Sequence, residues 1–141
     1  MTQRVLLAED EPNIVESLRF LLGRAGFEVD VRDNGRTALE AALTSVPDVL
    51  ILDVMLPEMD GFEILSNLRK DPRTKSLRVL MLTAKGQRED RERAMACGAD
   101  QFMSKPFGNS ELVEAVRALA ASNAEQDQPG LQVAGAGSQA G

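Results

Sequence analysis

The feature that most constrains the fold is a fivefold alternation of short apolar runs with longer segments whose apolar residues recur at helical spacing. The apolar runs span residues 4–8, 27–32, 49–52, 79–82 and 101–104. Most of them show no polar alternation, which is typical of strands buried on both faces. The helical segments between and after them begin at Pro12, Asn34 with Gly35, Gly61, Arg88 and Asn109. Alternation of strand and helix predicts an α/β domain with a parallel sheet covered on both faces.

The residue types that the chain lacks exclude catalytic sites and metal sites that depend on histidine or on several cysteines. It contains no histidine and a single cysteine, Cys97. Serine–histidine triads, cysteine–histidine pairs and histidine-ligated zinc are therefore excluded, as are Cys₄ zinc and iron–sulfur sites. Only oxygen ligands remain for a metal, and these favour magnesium, calcium or manganese.

Charge and hydropathy narrow the expected partners and location. Sixteen basic and twenty-two acidic residues give a net charge of −6, which argues against nucleic acid as the main partner. No apolar run approaches the roughly 18–20 residues that cross a bilayer. A lone cysteine supports no disulfide framework, which is usual in a reducing compartment. We therefore expect a cytoplasmic protein with no direct contact to nucleic acid or membrane.

Polar residues follow four of the predicted strands where each strand ends. They are Glu9, Asp10, Glu11, Asp53, Thr83, Ser104 and Lys105. In open parallel sheets, ligands bind beyond the carboxyl ends of the strands. Since two carboxylates about 4 Å apart repel by roughly 4 kcal/mol, a site holding Glu9, Asp10 and Asp53 needs Lys105 and a hard divalent cation such as Mg²⁺. Asp53 is then a candidate nucleophile toward a phosphoryl donor, with Thr83 and Lys105 as candidate ligands of the phosphoryl oxygens.

Four pieces of the sequence together resemble the receiver domain of two-component response regulators. They are Glu9-Asp10-Glu11, the segment DVMLPEMDG starting at Asp53, Thr83 with Ala84, and Lys105 with Pro106 and Phe107. They occur in this order across nearly the whole of residues 2–122. The resemblance implies a doubly wound, flavodoxin-like sheet of five parallel strands in the order 2-1-3-4-5, with five helices.

The resemblance also implies roles for single residues. Asp53 corresponds to the phosphoacceptor. Asp10 and Asp53 correspond to direct Mg²⁺ ligands, Glu9 to a ligand acting through water, and Met55 to a ligand through its backbone carbonyl. The side chains of Met55 and Lys85 occupy positions that in this family tune the attack of water on the phosphoryl group.

Further roles concern the switch. Thr83 and Lys105 correspond to residues that contact the phosphoryl group, and the Lys105-Pro106 bond is commonly cis in the family. Phe102 occupies the aromatic switch position, where a tyrosine is frequent, so any hydrogen bond from that ring is excluded here. Since the segment 88–97 has few apolar anchors, we expect phosphorylation to draw in Thr83, turn Phe102 inward and remodel helix four, strand five and helix five.

The composition changes sharply after residue 123. Residues 124–141 are rich in Ala, Gly and Gln, with only Leu131 and Val133 as sizeable apolar groups. Such a segment buries too little surface to offset the entropy of ordering. We therefore expect a receiver domain over residues 1–123 and a flexible tail over residues 124–141.

These observations favour a phosphoacceptor signalling module over an enzyme, although the module assists its own phosphorylation and dephosphorylation. The expected donor is a partner histidine kinase or histidine phosphotransfer protein, and the expected target is a downstream protein or a second copy of the chain. A stand-alone regulator is expected. The alternative is the receiver part of a longer regulator with a DNA-binding or enzymatic effector domain.

Two other classes of protein fit less well. An aspartyl-phosphate hydrolase usually needs a second acid two residues after the nucleophile, where this chain has Met55. A flavin- or nucleotide-binding module needs a glycine-rich or hydroxyl-rich loop after the first strand, but the sequence there is AEDEPN.

Overall fold

The computed structural model describes residues 2–84 and 88–126. Most of the predicted tail, from residue 127 onward, and Lys85 lie outside the described residues. Ten elements follow one another in strict alternation: β1 (Arg4–Ala8), α1 (Pro12–Arg24), β2 (Glu28–Arg32), α2 (Gly35–Thr44), β3 (Val49–Asp53), α3 (Gly61–Lys70), β4 (Arg78–Thr83), α4 (Arg88–Ala96), β5 (Gln101–Ser104) and α5 (Asn109–Gln126).

The five strands form one parallel sheet in the order β2-β1-β3-β4-β5. The predicted doubly wound fold and strand order are therefore confirmed. From β1 the chain passes through α1 to β2, which pairs with one edge of β1. It then returns through α2 to β3, which pairs with the other edge of β1. The order of the strands reverses between β1 and β3, which is where ligands bind in this architecture.

The sheet separates two hydrophobic cores. Alternate residues of β3 point to opposite faces, so Leu50 and Leu52 pack with α2, α3 and α4, whereas Val49 and Ile51 pack with α1 and α5. Every residue of β3 is buried, which explains why this strand lacks polar alternation. Burial of both faces therefore fixes the register of β3, and with it the position of the residue at the end of this strand.

Side-chain hydrogen bonds cap the starts of α2 and α3. The Asn34 side chain accepts a hydrogen bond from the Thr37 N–H at 2.9 Å and caps α2. Asp60 accepts from the Glu63 N–H at 2.9 Å and caps α3.

Several boundaries differ by a residue or more from the predicted ones. β2 begins at Glu28, one residue late, because the chain turns at Gly26, which has a φ of 98°, and pairing with β1 starts at Glu28. α4 ends one residue early, at Ala96, before Gly98 with a φ of 104°. α5 continues to Gln126, three residues past the expected domain boundary. None of the helices within residues 2–84 and 88–126 is both long and apolar enough to cross a bilayer.

Candidate functional site

The carboxyl ends of four strands bring the predicted site residues to one edge of the sheet. Glu9 and Asp10 directly follow β1, Asp53 is the last residue of β3, Thr83 is the last residue of β4, and Lys105 directly follows β5. Backbone pairing continues past the strand ends, because the Lys105 N–H donates to the Thr83 carbonyl at 2.8 Å. The strand-end residues therefore have fixed backbone positions.

Three carboxylates meet at this edge. One oxygen each of Glu9, Asp10 and Asp53 lies within 4.8 Å of the others. Glu9 and Asp53 are buried, whereas Asp10 is exposed and opens the cluster to solvent. Burial raises the pKa of Glu9 above its ordinary value, Lys105 lowers it through a hydrogen bond, and the neighbouring charge of Asp53 raises it further. Burial and repulsion outweigh Lys105, so the cluster is short of positive charge.

Lys105 supplies the cation that the structure places beside these acids. Its Nζ forms an ion pair with Glu9 Oε1 at 2.8 Å and donates to Asp53 Oδ2 at 3.2 Å. Burial disfavours the ammonium, but the hydrogen bond to Glu9 and the charge of Asp53 outweigh this effect and raise the pKa of Lys105. Lys105 therefore stays protonated and orients the Asp53 carboxylate.

The donor set fits a magnesium ion. Three carboxylates and one ammonium leave a charge of −2, and all the side chains facing one another here that can bind a metal offer oxygen. Asp10, Asp53 and Glu9 are the residues that would hold the ion. Met55 lies beside them: its N–H donates to Asp53 Oδ1 at 3.2 Å, and the residue is 63% exposed. The role of its carbonyl as a ligand stays a prediction.

Thr83 and Phe102 are both buried on the β4–β5 side of the site. Phe102 pairs with Met81 in the sheet and is only 4% exposed, and the Arg91 guanidinium of α4 lies 5.3 Å from the centre of its ring. In this structure the ring already lies in the core beneath α4, and its expected turn on phosphorylation stays a prediction. Sequence reasoning missed Arg91, which looks like one more charge on a polar helix.

The Lys105-Pro106 bond is cis, as the resemblance implies.

Comparison with known proteins agrees with this geometry. The family model of the response regulator receiver domain matches residues 5–117, and the chain belongs to this family. The chain is 40% identical over 116 residues to the DNA-binding dual master transcriptional regulator RpaA of Synechocystis, which covers 82% of this chain and 48% of that protein.

Solved structures extend the comparison to the site. The chemotaxis protein CheY4 of Vibrio cholerae has a TM-score of 0.78 and 32% identity, over 84% of this chain and 99% of that one. The receiver domain of the Pseudomonas aeruginosa sensor histidine kinase PA1611 has a TM-score of 0.79 and 26% identity, over 86% and 99%. That receiver was crystallised with a magnesium ion coordinated in its active-site cleft.

Family membership settles the class of protein but not the whole of its activity. Receiver domains are signalling modules that interact with histidine kinases. The chain spans about half the length of the curated relatives it matches. RpaA is named as a DNA-binding regulator, so the expected absence of nucleic-acid contact does not apply to such full-length relatives. For this chain it stays a prediction.

Proposed function

We propose that Asp53 accepts a phosphoryl group, in a Mg²⁺-dependent reaction, from a partner histidine kinase or histidine phosphotransfer protein. One observation carries the proposal: at the carboxyl edge of the sheet, the Asp53 carboxylate lies beside the carboxylates of Glu9 and Asp10 and is paired with the Lys105 ammonium. These 141 residues contain no histidine, so a histidine donor must lie outside them.

The chemistry follows from the groups around Asp53. A carboxylate oxygen of Asp53 forms a bond to phosphorus, the bond from phosphorus to the donor imidazole nitrogen breaks, and its electron pair stays on that nitrogen. Lys105 transfers its hydrogen bond to a phosphoryl oxygen, and the Thr83 hydroxyl donates to another. When bound, Mg²⁺ supplies the remaining positive charge that this transfer needs.

The test uses a small phosphodonor. With MgCl₂ and acetyl phosphate, we expect the intact protein to gain about 80 Da, the mass of one phosphoryl group. Asp53→Asn should abolish the gain, and EDTA should prevent it. Asp30→Asn is the matched control, because this exposed aspartate of β2 pairs with Arg32 at 3.2 Å and lies outside both the site and the loop that follows Asp53. A gain that persists in Asp53→Asn would contradict the proposal, and turnover of phosphate esters would favour the hydrolase.

Phosphorylation would act on a protein-binding surface made of α4, β5 and α5. The Lys105 backbone is bonded to Thr83, and Phe102 of the same strand lies beneath Arg91 of α4, so a change at Asp53 reaches α4 through packed residues. We expect the phosphoryl mimic beryllofluoride to change amide exchange in α4 and β5. Unchanged exchange there, with the mimic bound at Asp53, would contradict this switch.

The lifetime of the phosphoryl group depends on the side chain beside Asp53. Met55 is exposed next to the carboxylate, and its thioether cannot orient a water molecule for attack. We therefore expect Met55→Asn to shorten the lifetime, measured as decay of the mass gain after the donor is removed. Met95→Asn, at an exposed methionine of α4, is the control. An unchanged or longer lifetime in Met55→Asn would count against this role.

We propose contact with a downstream protein or a second copy of the chain, as a stand-alone regulator. A longer regulator with a DNA-binding effector is the second candidate, favoured by the half-length match to RpaA. Pull-downs with and without beryllofluoride would identify a protein target, and the mass of the product of the native gene would distinguish the two.

A further inference from the structure

The loop that follows Asp53, residues 54–60, is bound to the first turn of α2. The Gly35 N–H donates to the Pro57 carbonyl at 2.9 Å, and the Met59 N–H donates to the same oxygen at 2.8 Å. Between Pro57 and Met59, Glu58 has a φ of 71°, which non-glycine residues rarely adopt. A three-residue turn with this bond and this φ is a strained γ-turn. The tip of the loop therefore needs outside support.

Gly35 makes that support possible by its lack of a side chain. A Cβ at this position would lie 1.9 Å from the Met59 carbonyl oxygen and 2.7 Å from the Met59 carbonyl carbon. Both are backbone atoms, so no side-chain movement would relieve the clash. The close approach lets the loop carbonyl of Pro57 accept from an N–H that has no partner within its own helix.

Arg36, the next residue of α2, holds the strained residue itself. Its Nε donates to Glu58 Oε1 at 3.2 Å, with the two side chains 62% and 51% exposed. Ion pairs this exposed contribute little to global stability. The contact nevertheless joins the γ-turn to α2, so it restricts the position of the loop.

The same loop orients the proposed phosphoacceptor. Its base is closed by the Gly61 N–H, which donates to the Val54 carbonyl at 2.8 Å. Between this base and the tied tip, the Met55 N–H donates to Asp53 Oδ1. A movement of the tip would therefore turn the Met55 peptide, and with it the Asp53 carboxylate.

We infer that Gly35 and Arg36 of α2 are positioning residues for Asp53, acting through the loop 54–60. Gly35 fixes the tip by backbone contact, and Arg36 holds Glu58 in its left-handed conformation. The inference rests on the proposed function of Asp53 as a Mg²⁺-dependent phosphoacceptor. Neither residue touches the reacting groups.

A double-mutant cycle of Arg36→Gln and Glu58→Gly tests the inference. The chain has no tryptophan or tyrosine, so Mg²⁺ affinity is measured by calorimetry. We expect Arg36→Gln to raise the Mg²⁺ Kd about threefold, the size of an exposed ion pair, and to speed exchange of the Met59 amide in metal-free protein. In the Glu58→Gly background the Arg36 substitution should have no effect, because glycine adopts positive φ without support.

Three further variants separate positioning from stability. Arg36→Lys should restore the affinity because it keeps the charge that faces Glu58. Glu40→Gln removes the other ion pair of Arg36, at 3.4 Å, and should leave the affinity unchanged. Gly35→Ala should raise the Kd at least tenfold. If Gly35→Ala fails to fold, the cycle at Arg36 and Glu58 still decides the question.

The outcomes distinguish this inference from the proposed function. Equal Mg²⁺ affinity and equal Met59 exchange in wild type and Arg36→Gln would overturn the inference. So would parallel losses of affinity and urea stability in both backgrounds, since these would indicate a purely structural role. If Mg²⁺ binds equally well to Asp53→Asn, the proposed function fails, and the metal-free exchange cycle still tests whether Arg36 holds the loop.

Discussion

The helices α3 and α4 follow each other along the chain and pack on the same face of the sheet, but they are held in different ways. α3 buries five of its ten residues: Gly61, Phe62, Ile64, Leu65 and Leu68. α4 buries only Ala94 of its nine residues. Its other described anchors include two arginines over aromatic rings, Arg91 on Phe102 at 5.3 Å and Arg93 on Phe62 at 4.1 Å.

The difference supports the proposed switch, in which α3 stays fixed and α4 responds to phosphorylation. Moving α3 would expose several buried apolar side chains together, so its displacement costs a large free energy. A guanidinium over a ring contributes about 0.5–1 kcal/mol at exposed sites and exchanges readily with water. Elements that respond to a site belong to the second kind. α3 follows the loop that carries Met55, and α4 covers Phe102.

The strongest test of this contrast is a matched pair of truncations. Leu65→Ala in α3 should lower the free energy of unfolding by about 2–5 kcal/mol, because it leaves a cavity in a packed core. Met95→Ala, at an exposed position of α4, should change it by no more than about 0.5 kcal/mol. Urea unfolding measures both. Similar losses in the two variants would show that α4 is anchored as firmly as α3.

A second test concerns the end of α4. Arg69 of α3 donates to the Gly98 carbonyl at 3.0 and 2.7 Å and to Asp100 Oδ2 at 3.2 Å. Arg69→Met removes the donor of the Gly98 carbonyl, whereas Asp100 Oδ2 still accepts from the Val79 N–H at 2.8 Å. We therefore expect a loss of about 1–3 kcal/mol and faster amide exchange around Gly98. Arg73→Met removes an exposed ion pair to Asp71 and is the control. Equal stability in the two variants would mean that Arg69 does not hold α4 to α3.

The smallest expected effect lies in the arginine–aromatic contacts. Arg91→Gln should cost about 0.5–1 kcal/mol and should speed amide exchange within α4 while leaving α3 unchanged. Arg88→Gln, at an exposed residue that pairs with Glu92, is the control for loss of charge on the same helix. If exchange in α4 responds equally to both substitutions, the ring contact has no special part in holding the helix.

Much of the fold could be predicted from the sequence because its determinants are local. The bounds of β1, α3 and β5 agree with the predicted ones, since apolar runs and helical spacing are properties of neighbouring residues. Strand order and the gathering of Glu9, Asp10, Asp53 and Lys105 also agree with expectation. They do so because parallel strands place their carboxyl ends at one edge of the sheet.

Contacts between distant segments were beyond prediction. Nothing in the local pattern indicates that Arg91 covers Phe102, that this ring is already buried, or that Glu58 takes a left-handed conformation against α2. The spacing of apolar residues along the sequence predicts which face of a helix or strand is buried. The ends of the predicted strands indicate where a site forms. The sequence pattern does not specify which side chain covers a ring or which helix supports a strained turn. Both depend on distances of a few ångströms between segments far apart in the chain, and these distances are set only when the elements pack together.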